Sequence, residues 1–68
     1  MSWHYQIRKQ ITAGHTWFDI VEVYENPKGW TENSMAPAGE SPEGVIETLE
    51  MMLADAKKYP VLEDSHEP

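Results

Sequence analysis

The chain has 68 residues, no cysteine, and twelve acidic side chains against five basic ones, for a formal net charge of −7. A chain this short forms one small domain with a modest core, and without cysteine it has no disulfide framework and no thiolate metal site. The charge argues against direct nucleic-acid binding and against an anionic membrane surface, since both call for a basic footprint.

No apolar run approaches the ~18 residues of a membrane-spanning helix, and the N-terminus lacks the charged-then-apolar layout of a signal peptide. With cysteine absent as well, a cytoplasmic location is expected. The charge is uneven. Residues 1–15 carry Arg8 and Lys9 and no acid, whereas residues 36–68 carry eight acids and two lysines. The acidic potential therefore belongs to the second half.

Trp3, Tyr5, Ile7 and Ile11 alternate with His4, Gln6, Arg8 and Gln10. That period of two predicts a strand over about 3–12 with one buried face, Lys9 being the exception. Thr12-Ala13-Gly14-His15 reads as the turn that reverses the chain, with Gly14 able to take a positive φ. Residues 16–25 (TWFDIVEVYE) are aromatic and β-branched and predict a second strand. Its faces are mixed: Phe18, Ile20, Glu22 and Tyr24 share one, and Trp17, Asp19, Val21 and Val23 the other. Either a central strand apolar on both sides or a bulge near Val21 accounts for the mixture. Asn26-Pro27-Lys28-Gly29 is a tight turn, followed by a short third strand over about 29–34 and a loop through Met35–Gly39.

The most legible segment is a helix over about 42–58. Ser41 is a good N-cap, Pro42 suits the first helical position, and Glu43 lies at the positive end of the dipole. Gly44 stands where a capping box would place Glu or Gln. Val45, Ile46, Leu49, Met52, Leu53 and Ala56 recur at helical spacing. Lys57 and Lys58 suit the last turn, and Pro60 stops the helix. Val61 and Leu62 either add a short final strand or pack on the helix, and a frayed polar tail is expected over 63–68. The order implies an α+β fold. It is a three-stranded antiparallel meander covered on one face by one C-terminal helix, with a short fourth strand as an option.

Two resemblances rest on particular residues. Trp3/Tyr5, Glu22-Val23-Tyr24, Trp30-Thr31-Glu32, Pro37, Gly39-Glu40-Ser41 and Pro60-Val61-Leu62 form a pattern that resembles a family of short uncharacterised bacterial and phage proteins. That likeness brings no established function with it. Gly39-Glu40-Ser41 with Glu43 also resembles the start of the helix in the HicB-like antitoxin domain, which has three strands, one helix and a short final strand. The second likeness implies neutralisation of a ribonuclease toxin. The expected departures from it are a shorter sheet and, within these 68 residues, no counterpart of the DNA-binding domain that such antitoxins usually add.

The residues suggest no catalytic constellation. Glu43, Glu47 and Glu50 share one helix face and look solvated, so nothing tunes them toward acid–base work. Glu22 is either a sheet-edge charge or a partner for Arg8. His4, His15 and His66 lack metal-ligand spacing, and no phosphate-cradling Gly loop or nucleophile elbow is present. The expected function is non-catalytic: a small acidic protein-interaction domain, of the kind a phage uses to inhibit or modulate a host protein. It would bind an unidentified protein partner through Glu43, Glu47, Glu50, Met51, Trp17 and Trp30, with no cofactor and no metal. The competing reading of the acidic face is simple solubility. The alternative function is a HicB-like antitoxin or its remnant. A homodimer is also expected, because a lone sheet leaves edges and surplus aromatics exposed.

Overall fold

A computed structural model describes residues 2–64. Its elements are β1 (Trp3–Thr12), β2 (His15–Glu25), β3 (Lys28–Trp30), α1 (Pro42–Lys58) and β4 (Leu62–Asp64). The strands form one sheet in the order β3-β2-β1-β4. β2 is antiparallel to both its neighbours, and β4 returns parallel to β1 on the far edge. This is an α+β fold: a curled, mostly antiparallel sheet with one C-terminal helix packed against β1.

The hairpin sets the register. Pairing runs unbroken from Trp3↔Tyr24 to Thr12↔His15, so there is no bulge near Val21. Ala13 and Gly14 form a two-residue turn with φ of 51° and 81°. Positive φ at both central positions is what a type I′ hairpin turn demands. Glycine adopts it freely, whereas Ala13 sets its Cβ against a carbonyl. Of the two readings of β2, the inner strand is the one realised. Val21 and Val23 are buried on one face, Ile20 is half-buried on the other, and Phe18 is exposed.

β1 departs from its simple alternation. Tyr5 is buried as expected, but so are Gln6 and Arg8 on the opposite face, and Trp3 is exposed. The polar face is covered by chain that comes later. Past β3, two carbonyls turn down onto Arg8, and past α1 the Pro60 carbonyl accepts from Gln6 Nε2 at 2.8 Å. The same detour shortens the third strand, which ends at Trp30 instead of 34. Thr31 still exchanges bonds with Glu22: its N–H donates to the Glu22 carbonyl at 3.0 Å, and its Oγ1 accepts the Glu22 N–H at 3.1 Å. The chain then leaves the ladder, and the Met35 N–H rejoins it at the Ile20 carbonyl, 2.8 Å away.

α1 starts and stops on the expected signals. Ser41 Oγ accepts the Gly44 N–H at 3.2 Å, and Tyr59 before Pro60 is extended. The sheet meets only part of the apolar stripe. Met52 is buried, and Val45 and Ala56 are half-buried, but Ile46, Leu49 and Leu53 stay exposed. A side-chain bond fixes the helix to β1: Asp55 Oδ2 accepts the Tyr5 N–H at 3.0 Å. That N–H points away from β2, toward an edge that β4 reaches only at Arg8–Gln10. The expected frayed tail from 63 is part of β4 as far as Asp64, where it pairs with Gln10, and 65–68 lie outside the described residues.

The radius of gyration is 13.0 Å, against about 11 Å for a compact chain of this length. The far end of the β1–β2 hairpin, beyond the reach of β3, carries exposed Trp17 and Phe18.

The entry to α1 is tight on one side only. A Cβ on Gly39 would lie 2.7 Å from the Gly44 carbonyl carbon and 2.8 Å from the Val45 nitrogen, whereas one on Gly44 meets nothing nearer than 3.5 Å. Gly44→Ala is therefore expected to stabilise the chain by up to ~1 kcal/mol through helix propensity. Gly39→Ala is expected to cost ~1–3 kcal/mol through overpacking. Urea unfolding reads both, and equal destabilisation would show that the loop-to-helix approach is not the constraint. By the same logic Ala13→Asn, a residue at ease in this turn, is expected to raise the urea midpoint.

Candidate functional site

The most buried polar group is the ion pair Arg8–Asp19, with side chains only 2% and 7% exposed. A two-residue turn places these residues directly opposite each other. The guanidinium grips the carboxylate with two bonds, Nε to Oδ1 at 3.0 Å and Nη2 to Oδ2 at 2.6 Å. Its remaining donors reach the Thr31 and Glu32 carbonyls at 3.2 and 3.0 Å. Asp19 Oδ2 also accepts from Gln10 Nε2 at 3.3 Å and from the Ser34 hydroxyl. Burial pushes the Asp19 carboxyl up, but the bonds from Arg8 and Ser34, the Arg8 charge and the Gln10 amide outweigh it. The net effect holds Asp19 below the usual carboxylate range. The site is saturated, so it ties strands together and leaves no group free for chemistry. Glu22, weighed above as a partner for Arg8, lies on the other face of the sheet opposite Tyr5 and accepts from the Tyr24 hydroxyl. That bond, burial and the Glu22 charge raise the Tyr24 phenol above its ordinary value.

A shallow cleft of about 400 Å³ opens between His4, Tyr59, Val23 and Trp30. The His4 ring stacks on Tyr59 with centroids 3.6 Å apart. Gln6 donates its amide to Pro60, so its oxygen faces His4 Nε2 at 2.8 Å and fixes the hydrogen on that nitrogen. Nδ1 is buried without a hydrogen bond, and Glu25 Oε2 lies 4.0 Å away. Stacking and hydrogen bonding hold the ring as part of the cleft wall.

The remaining candidates are surface residues, and they fall into separate places. At about 100° per residue, α1 has three sides. Val45 and Met52 face the sheet, and Ala56, half-buried, lies at the edge between this side and the next. Leu49, Leu53 and Ile46 form an apolar flank that the sheet does not cover. Glu50, Glu43 and Glu47 form the outer side, with Met51 beyond them. All three glutamates and Met51 are exposed. Among the described residues the acidic side chains paired with Arg or Lys are Asp19 and Glu63, Glu25 lies beside the His4 ring, and none of the three helix glutamates has such a partner. Trp17 and Trp30 share a sheet face, since they oppose Gln10 and Val23, but they stand about 20 Å apart along it. Trp17 Nε1 donates to Thr12 Oγ1 at 3.4 Å. The structure therefore gathers Glu43, Glu47, Glu50 and Met51 on one helix surface and leaves both tryptophans outside it. The exposure of Ile46, Leu49 and Leu53 was missed by the sequence reading. Its signal is that six apolar positions on one helix exceed what a three-stranded meander can cover.

Among the described residues no cluster of His, Asp or Glu is arranged to hold a metal ion, and no helix is long and apolar enough to cross a membrane. No family model, curated protein or solved structure matches the chain.

Because the folded Asp19 carboxyl is depressed, its stabilisation is fully present above the unfolded value of about 3.9 and is lost as pH falls through the lower folded value. Wild-type stability is therefore expected to decline below about pH 4, and Asp19→Asn is expected to show a weaker decline. Urea midpoints between neutral and acid pH test this, and identical acid profiles would exclude Asp19 as the source. Arg8→Met is expected to cost ~3–5 kcal/mol, because it strands a buried carboxylate.

Proposed function

We propose that this chain is a non-catalytic interaction domain that binds a protein partner through the outer face of α1, in the cytoplasm and without direct nucleic-acid binding. The observation that carries the reading is the row Glu43, Glu47 and Glu50, exposed and without ion-pair partners among the described residues. Like charges three and four residues apart on a helix repel by roughly 0.2–0.5 kcal/mol per pair. Solubility needs only the charge and is served equally well by scattered acids. A stacked row concentrates the negative potential where it attracts a basic surface and speeds encounter. Exposed Met51 at the border of the row adds an adaptable apolar contact. The partner's matching chemistry is a basic patch with an apolar rim. A phage-type inhibitor or modulator of a host protein fits this chemistry.

A second reading, a HicB-like antitoxin neutralising a ribonuclease toxin, draws support from the order of three strands, helix and short strand. It predicts stable co-purification with a small basic ribonuclease encoded beside this chain. Failure of the two to associate when co-expressed would remove that reading.

The acidic-face reading is tested with the partner captured from host lysate and then purified. The triple change Glu43→Gln, Glu47→Gln and Glu50→Gln keeps good helix formers and removes the charge. It is expected to weaken binding by about tenfold or more, with wild-type affinity falling as salt rises. Salt-independent binding that the triple change leaves intact would overturn the proposal.

A further inference from the structure

We propose that a second copy of this chain covers the exposed apolar flank of α1, the two helices running antiparallel about a two-fold axis. This goes beyond the acidic-face reading and does not depend on it, since Glu47 and Met51 stay on the outside of such a pair.

The first observation is the seam itself. Ile46, Leu49 and Leu53 are 53%, 48% and 58% exposed although the helix is already docked on β1. With Ala56 they recur at spacings of three, four and three, the a and d positions of a heptad. One border of the seam is closed, because Val45 and Met52 turn into the fold. The other is open and carries Glu43, Glu50 and Lys57, seven residues apart, in the row that flanks an interhelical seam.

That row decides the occupant. A basic amphipathic helix from another protein would meet Lys57 as a like charge. A second copy placed parallel would set Glu43 against Glu43, Glu50 against Glu50 and Lys57 against Lys57. Only the antiparallel copy brings Glu43 opposite Lys57 of the second copy, and symmetry makes the pair twice. In that register Leu49 meets Leu53 of the second copy, and Ile46 meets the small Ala56, large against small as packing requires. The unfavourable element is Glu50, which meets its own copy near the axis. The seam from Ile46 to Ala56 spans about 15 Å, short of the ~800 Å² per partner of a stable interface. The dimer is therefore reversible and concentration-dependent.

Sedimentation velocity of the full chain from micromolar to millimolar concentration is the test. A monomer–dimer equilibrium is expected. Ile46→Gln with Leu53→Gln, checked by circular dichroism for an intact fold, is expected to weaken association by about tenfold or more. Glu43→Lys or Lys57→Glu alone is expected to weaken it, and the two combined to restore it. Glu50→Gln is expected to strengthen it. Because the chain has no cysteine, Glu50→Cys provides a clean probe and is expected to yield a disulfide-linked dimer on air oxidation. A monomer at every concentration overturns the proposal, as does a dimer indifferent to the Ile46 and Leu53 changes. Failure of the combined charge swap to restore association overturns the antiparallel arrangement.

Discussion

The fold depends on one desolvated ion pair. Arg8 and Asp19 sit opposite each other on the two long strands, nearly removed from water. Desolvating two charges is costly, and the cost is offset only where geometry is good and the remaining donors are used. Here the pair is bidentate, and the other guanidinium hydrogens reach the Thr31 and Glu32 carbonyls. Those two bonds accompany the departure of the chain from β2 after Thr31, which lays it across the sheet face. Ser34 and Gln10 complete the carboxylate. The pair thus fixes the hairpin, the end of β3 and the cover of one sheet face together. A small chain with a thin apolar core gains a unique arrangement from such a network, because half-satisfied alternatives are penalised.

The helix is held differently. Its attachment to β1 rests on buried Met52 and on the Asp55 carboxylate, which accepts an edge N–H of β1. An edge N–H without a partner is a liability, and Asp55 removes it at the point where β4 does not reach. The narrow attachment leaves α1 with an apolar flank and an acidic outer side, both in water. In a chain of this size the surface-to-volume ratio makes that outcome natural, since there is too little sheet to bury six apolar helix positions.

What the sequence revealed follows from how local each signal is. The helix was legible at both ends because Ser41, Pro42 and Pro60 act within one turn. The hairpin was legible because Gly14 lies between an alternating run and an aromatic, β-branched one. That turn also held more than was drawn from it: with Ala13-Gly14 as the reversal, Arg8 must oppose Asp19, and Glu22 must face the other way beside Tyr5. The burial of Gln6 and Arg8 was not legible. It depends on where residues 31–34 and 59–62 travel, and no periodicity within β1 encodes that. The glutamate row could be read from spacing alone, but the neighbouring exposed seam could not. Its exposure is set by how little of α1 the sheet reaches.

The two surfaces of α1 constrain each other. Glu43 and Glu50 belong both to the acidic outer side and to the border of the seam, whereas Glu47 and Met51 belong to the outer side alone. A second copy on the seam would engage Glu43 with a lysine and press Glu50 against its twin, while Glu47 and Met51 remain available. Dimerisation would then leave two outer faces presented on opposite sides of one axis, each with part of its charge already committed. A partner reading the full row of three glutamates would compete with the second copy, and one reading Glu47 and Met51 would not. Under both proposals together, Glu43 and Glu50 would couple self-association to recognition, because each would contribute its charge to both surfaces.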